Sequence, residues 1–286
     1  MIAISGIVVV IVAILGGYLM EHGNVSVLFQ PSELVIIGGA AIGSFLISAP
    51  AKVVRLVIKN FGSVFKSTAV DKATSLELLM LLDQLFRKVR REGMLSIEQD
   101  VNDPESSPCF NVFDRVMARE ELIEFICDNF KVALSGMEPH DLENIMELDI
   151  EARHSESDLP GTMLTKVADS LPGLGIVAAV LGVVLTMGKI DGPPAELGQS
   201  IGAALVGTFT GILMCYGFIG PMATNLELKA RENESLLVVI KTAIVATVNG
   251  SAPQVALEYG RRAISGDGRP SIQELDEANK EWENKK

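Results

Sequence analysis

Thr208 stands in the stretch VGTFTG, inside a run from 197 to 226 that contains no Asp, Glu, Lys or Arg. A second run, 170–188, is equally free of charge. Their polar side chains are few, among them Thr186, Gln199, Ser200, Thr208, Thr210, Cys215 and Tyr216. Hydroxyls of this kind can line a path for ions, yet they cannot take up and release a proton. Proton movement through a bilayer uses ionisable groups that face a protein interior. Neither run offers one, so an acid from another chain has to supply the binding step while this chain supplies walls and hydroxyls. The Thr208 hydroxyl either bonds the carbonyl four residues back or faces a pore.

Other chemistries find little support. His154, Glu156 and Asp158 alternate at i, i+2 and i+4, a spacing that fans round a helix rather than converging on a metal. The three cysteines, Cys109, Cys127 and Cys215, form no disulfide framework. There is no glycine-rich phosphate loop, nucleophile elbow or kinase signature. No enzymatic activity, metal or bound cofactor is expected. The net charge of −12 argues against a nucleic-acid partner, which needs a basic surface.

The elements that hold these residues follow from where charge is absent. Four runs, 1–20, 34–51, 170–188 and 197–226, carry no charged side chain. Each reaches or exceeds the ~17–25 residues that a membrane helix needs. The first has no basic n-region and no A-x-A-like site, so it reads as a retained helix. Between the second and third runs, residues 51–169 hold fourteen basic side chains, including Lys52, Arg55, Lys59 and Lys66, against twenty-two acidic ones. The positive-inside rule places this segment and the C-terminal tail in the cytoplasm, with both termini. The expected fold class is all-α: an integral membrane protein with four transmembrane helices and a helical cytoplasmic domain. The expected divisions are 1–51, transmembrane helices 1 and 2; 52–169, a cytoplasmic helical domain; 170–224, transmembrane helices 3 and 4; and 225–286, a cytoplasmic helical tail.

Within 52–169, Leu78, Leu82, Leu85 and Val89 share one face of a helix. Gly93 follows as its C′ residue. Ser96 and Gln99 fit a capping box that opens a short helix stopped by Pro104. Arg90 and Arg91 then occupy a last turn and Glu98 a first turn, where each sign suits the helix dipole. Further helices are expected at about 115–134 and 140–156, separated by Gly136 and Pro139. The polar end RPSIQELDEANKEWENKK reads as a helix free to fray.

Small residues mark the membrane runs. Gly175, Ala179 and Gly182 share a face, as do Gly207, Gly211 and Cys215, and Gly39 and Gly43 form G-x-x-x-G. Such faces let membrane helices approach closely. Pro172 reads as a first-turn proline, and Pro221, late in a helix that continues, should bend it.

Five blocks, GGYLMEHGNVSVLFQPSELVIIGGAAIGSFL, RREGMLSIEQD, DSLPGLGIVAAVLGVV, VGTFTGILMCYGFIGPMA and NGSAPQVALEYGRRAI, together resemble the MotA family of flagellar stator subunits, within the MotA/TolQ/ExbB proton channels. The resemblance implies a ring of copies, a pentamer, around the membrane helices of MotB, whose Asp binds the proton. It implies that proton-motive force, with no bound cofactor, turns the ring, and that the cytoplasmic domain pushes on the rotor protein FliG. Pro172, Thr208 and Pro221 correspond to the family's ion-path and coupling residues, and Arg90 and Glu98 to its rotor-facing charges. Sodium-driven relatives carry threonine where this chain has Ala179, so protons are the expected ion. The implied location is the bacterial inner membrane. The alternatives are an ExbB- or TolQ-like energiser of an outer-membrane system, which has three membrane helices and lacks the RREGMLSIEQD block, and a membrane scaffold that conducts nothing.

Overall fold

Helix is the only regular structure among the described residues, 2–65 and 71–283, of the computed structural model. Lys66, one of the basic residues used for orientation, lies outside them. In chain order the helices are α1 (Ile2–Met20), α2 (Val25–Leu28), α3 (Pro31–Ser48), α4 (Ala51–Phe61), α5 (Lys72–Glu92), α6 (Glu98–Asn102), α7 (Asp114–Met117) and α8 (Glu120–Leu134). They continue as α9 (Pro139–Met187), α10 (Pro194–Leu213), α11 (Gly220–Val248), α12 (Pro253–Ala263) and α13 (Ile272–Glu283). Four stretches are long and apolar enough to cross a membrane: Ile2–Met20, Val25–Ser48, and parts of Pro139–Met187 and Pro194–Val248. Pro50, at the end of the second charge-free run, caps the next helix, α4, rather than cutting into α3.

The residues form two compact units, Met1–Thr68 with Ser157–Lys229 and Ala69–Glu156 with Ala230–Lys286. The first is apolar on its outside. No residue of α1 is buried, and Val9, Val35, Ile47, Val184 and Leu185 are all exposed. Its interior is small: Ile37 and Ala41 of α3 meet Ala168, Leu171 and Ala178 of α9, together with Cys215. In lipid, outward apolar side chains carry no hydrophobic penalty, so close backbone packing holds such helices together. Thr165 of α9 also donates to Glu227 of α11 at 3.1 Å.

The second unit has the reverse organisation, with its apolar side chains gathered in a large buried core. Leu78, Leu82 and Leu85 are fully buried and Val89 packs against the same cluster, as the spacing predicts. Phe86 of α5 meets Phe130 of α8 edge-to-face, with ring centroids 6.4 Å apart. Each such buried side chain contributes roughly 1.5–3 kcal/mol. Gly136, at φ +85°, ends α8 in a left-handed conformation that glycine tolerates, and Pro139 then opens α9. The C-terminal α13 is seated rather than loose: Leu275 is buried, Lys72 pairs with Glu274 at 2.6 Å, and Asn279 donates to Asp83 at 3.0 Å.

Two expectations change here. The separate helices expected at 140–156 and 170–188 are parts of one 49-residue helix, α9, with Pro160 and Pro172 inside it. Each proline costs the helix one hydrogen bond, and the flanking turns keep it going. The G-x-x-x-G pair Gly39 and Gly43 has nothing within 4 Å of either added Cβ position, so it serves no contact among the described residues.

Candidate functional site

In the apolar unit, α9 and α10 touch through glycine. A Cβ on Gly175 would lie 2.8 Å from the Gly207 carbonyl oxygen and 3.3 Å from the Thr208 Cα. A Cβ on Gly211 would lie 2.5 Å from the Leu171 carbonyl oxygen, and one on Gly182 would lie 2.7 Å from the Ala204 Cβ. The separations under 3.0 Å are ones that real Cβ atoms essentially never show, so glycine is what allows the two backbones to meet. The seam holds Ala179 and Thr208 and passes one residue from Pro172. Leu171, just before Pro172, faces Gly211. Ala179, half-buried, presents its backbone nitrogen 3.2 Å from the Gly207 Cβ position. Thr208 follows Gly207.

The Thr208 hydroxyl does not bond back to its own helix. Thr186 does so, donating to the Gly182 carbonyl at 2.8 Å, whereas Thr208 makes no hydrogen bond among the described residues.

Pro172 is not a first-turn residue. It lies thirty-odd positions into α9, and having no N–H it gives the Ala168 carbonyl no helical donor. Pro221 produces a widened turn. Met214–Ile219 is a π-helical segment, in which the Gly220 N–H donates to the Cys215 carbonyl five residues back. Such a turn absorbs the ring that an ordinary α-turn would clash with. Pro221 itself is exposed, on the far side of this turn from the α9–α10 seam.

The sequence reading missed Glu33. It lies one residue before the charge-free run that begins at 34, and an acid in the first turn of a helix passes for a dipole partner. In the structure it is only 7% exposed. Its Oε2 is 2.5 Å from the Gly207 Cβ position and has no hydrogen-bond partner among the described residues. The two lining helices carry no ionisable group at this seam, but α3 brings one to it.

The polar unit holds the second group. Gly93, at φ +87°, ends α5 as its C-cap and gives its N–H to the Val89 carbonyl. Arg90 and Glu98 flank this corner, both exposed and without an ion-pair partner among the described residues. The expected capping box is absent: Ile97 precedes α6 with no side-chain cap, and the Ser96 hydroxyl donates instead to the Gly93 carbonyl at 2.7 Å. What ties the corner together is Lys88, whose Nζ is 2.7 Å from Asp100 Oδ2. Asp100 is buried and also accepts from the Ser107 hydroxyl at 2.7 Å. The hydrogen bond from Lys88 to Asp100 raises the lysine pKa above its usual range.

The His154, Glu156 and Asp158 side chains do not converge on one point. His154 Nδ1 faces Glu234 at 2.9 Å, Asp158 accepts from the Thr162 hydroxyl at 3.0 Å, and no metal-binding cluster of His, Cys, Asp or Glu exists among the described residues.

Comparison with known proteins matches this arrangement to one line. A family model described as the motility protein A N-terminal region matches residues 4–93, and one for the MotA/TolQ/ExbB proton channel family matches residues 115–238. Motility protein A of Escherichia coli (strain K12) is 41% identical over 278 residues, covering 97% of this chain and 94% of that protein. Chemotaxis protein LafT of Vibrio parahaemolyticus is 34% identical over 95% of each chain. The solved structure of C. jejuni MotAB superimposes with a TM-score of 0.80, over 94% of this chain and 98% of that one, at 23% identity, a likeness of fold.

Proposed function

The chain belongs to the motility protein A family of the MotA/TolQ/ExbB proton channels, and on that premise we propose how it works. It is a stator subunit of the bacterial flagellar motor, which with MotB forms a proton channel that couples ion flow to torque. The family is a class of channel and motor subunits, not of enzymes. One observation carries the reading: the glycine seam of α9 and α10, two membrane-length helices pressed together beside an available Thr208 hydroxyl.

In the proposed scheme, several copies of the chain, a pentamer, ring the membrane helices of MotB in the inner membrane, with both termini in the cytoplasm. The basic residues Lys52, Arg55 and Lys59 after the second span support that orientation. A MotB aspartate binds the proton against the wall formed by Ala179 and Thr208. Ala179 adds no side-chain oxygen there, which favours protons over sodium, since a metal cation needs several oxygen ligands. Neutralising the acid changes what the wall must accommodate. Pro172, which leaves α9 one hydrogen bond short, and the widened turn before Pro221 are where that change becomes a helix movement. Arg90 and Glu98 pass the movement to FliG through exposed charges, a contact that is quick to form and sensitive to salt. Proton-motive force drives the cycle with no bound cofactor.

The N-terminal match over residues 4–93 supports the stator reading over an outer-membrane energiser of the ExbB or TolQ kind. The test is reconstitution. Vesicles holding the chain with MotB should take up protons under an imposed potential, and vesicles holding the chain alone should leak little. Full-speed collapse of a pH gradient by the chain alone would contradict the borrowed acid. Loss of swimming on sodium removal at constant membrane potential would reverse the choice of ion.

A further inference from the structure

Glu33 is the third residue of α3, after Pro31 and Ser32. An acid at this position is ordinarily a surface group that complements the helix dipole for ~0.3–1 kcal/mol. This one is more than nine-tenths buried. Gln30 caps α3 without a side-chain bond, and Glu33 Oε2 is unpartnered among the described residues. The carboxyl points across to α10, where it fills the notch left by Gly207. A Cβ at Gly207 would meet Oε2 at 2.5 Å, the Ala178 Cβ at 3.2 Å and the Ala179 nitrogen at 3.2 Å. The acid therefore sits at the α9–α10 seam, against Gly207, the residue that precedes Thr208.

A carboxylate in such a place needs a counter-ion, a donor or a proton. The elements packed against α3 carry Lys166 and Asp169 on α9, Lys189 and Asp191 in the α9–α10 turn, Glu196 on α10, and Cys215 in the π-turn. None of them forms an ion pair or hydrogen bond with Glu33 among the described residues. Gly207, Ala178 and Ala179 bring no side-chain oxygen, so the coordination that a metal cation requires is missing. A proton needs only the carboxyl.

We propose that Glu33 is a proton-binding site contributed by this chain itself, an exchange point between the outer solution and the acid on MotB. A hydronium ion gives its proton to Oε2, forming an O–H bond and leaving water. That bond breaks when the proton passes on through water to the MotB carboxylate, and the Glu33 anion is restored. The proposal rests on the channel reading above. It adds a carboxyl at the seam, where α9 and α10 themselves bring none.

The test uses the complete complex with MotB in liposomes, with proton uptake and pH-difference infrared spectra measured on the same preparation. Glu33→Gln, nearly isosteric, is expected to lower uptake by about 100-fold or more and to remove one carboxyl C=O band. Uptake equal to the unaltered complex, or a band that persists, overturns the proposal. If Glu33→Gln fails to assemble, the Glu33→Ala/Gly207→Ala pair decides, because the new methyl at 207 fills the space the carboxyl vacates. An assembled double variant that conducts poorly and has also lost the carboxyl band supports a proton-binding role. Full recovery would make the carboxyl a spacer and overturn it. A complex that never conducts would overturn the channel reading alone, and the infrared band would still decide for or against protonation of Glu33.

Discussion

Lys88 Nζ lies 2.7 Å from Asp100 Oδ2, an ion pair that joins the helix ending near Arg90 to the helix beginning at Glu98. Asp100 is buried, and the Ser107 hydroxyl takes its other oxygen. Removing the lysine would leave a buried carboxylate with one donor, a loss of about 1–3 kcal/mol. Lys88→Met should therefore loosen the corner and reduce torque while the complex still conducts protons. Asp100→Asn should cost less, because the amide can still accept from Ser107 and the lysine is partly exposed. Thermal melting of the complex beside its proton uptake would check both. The pH dependence has a definite sign. The bonded Lys88 has a raised pKa, so its contribution is complete below the ordinary lysine value of ~10.4 and is lost as pH rises through the folded one. In Lys88→Met that alkaline loss should disappear.

Arg90 and Glu98 themselves hold nothing in place. Both are exposed and without ion-pair partners among the described residues, so Arg90→Glu or Glu98→Lys should leave stability within about 0.5 kcal/mol. Torque should fall all the same, and more steeply at low ionic strength, where exposed charges act at longer range. Bead-rotation measurements across a salt series, beside melting curves, would separate contact from folding. Unchanged swimming in both variants would remove these residues from the rotor contact.

The features legible in the sequence were those that local rules govern. The Leu78, Leu82, Leu85 and Val89 face follows from a period, and the turn at Gly93 from the conformation only glycine adopts easily. The four spans follow from length without charge. What was hidden depended on contacts between distant segments. Nothing near Glu33 in the chain says that its carboxyl meets Gly207. Pro172 has the sequence context of a helix start, but α9 runs on both sides of it and continues through it. Ser96 had the spacing of a cap, but the Gly93 carbonyl offered its hydroxyl a nearer partner.

The α9–α10 seam sets a steric limit that can be measured. A Cβ at Gly211 would lie 2.5 Å from the Leu171 carbonyl oxygen and 2.9 Å from the Gly175 Cα, both backbone atoms that cannot turn aside. Gly211→Ala should push the helices apart, with an overpacking cost of about 1–3 kcal/mol. The complex with MotB should dissociate at a lower detergent concentration on size exclusion, and proton uptake should fall. Gly39→Ala provides the contrast. Its added Cβ meets nothing within 4 Å among the described residues, so the fold of the single chain should tolerate it.

Pro172 separates a static bend from a moving joint. Inside α9 it gives the Ala168 carbonyl no helical donor. Pro172→Ala restores that donor and removes a ring that costs a helix interior about 3 kcal/mol. The variant should therefore insert, assemble with MotB and melt no lower than the unaltered complex. If the missing hydrogen bond lets α9 flex as the proton site fills and empties, the stiffer helix should still bind protons but rotate slowly or not at all. Proton uptake in vesicles and rotation in tethered cells, measured on the same variant, distinguish the cases. Normal rotation with the restored hydrogen bond would leave Pro172 as a fixed feature of the helix and move the coupling to the widened turn before Pro221.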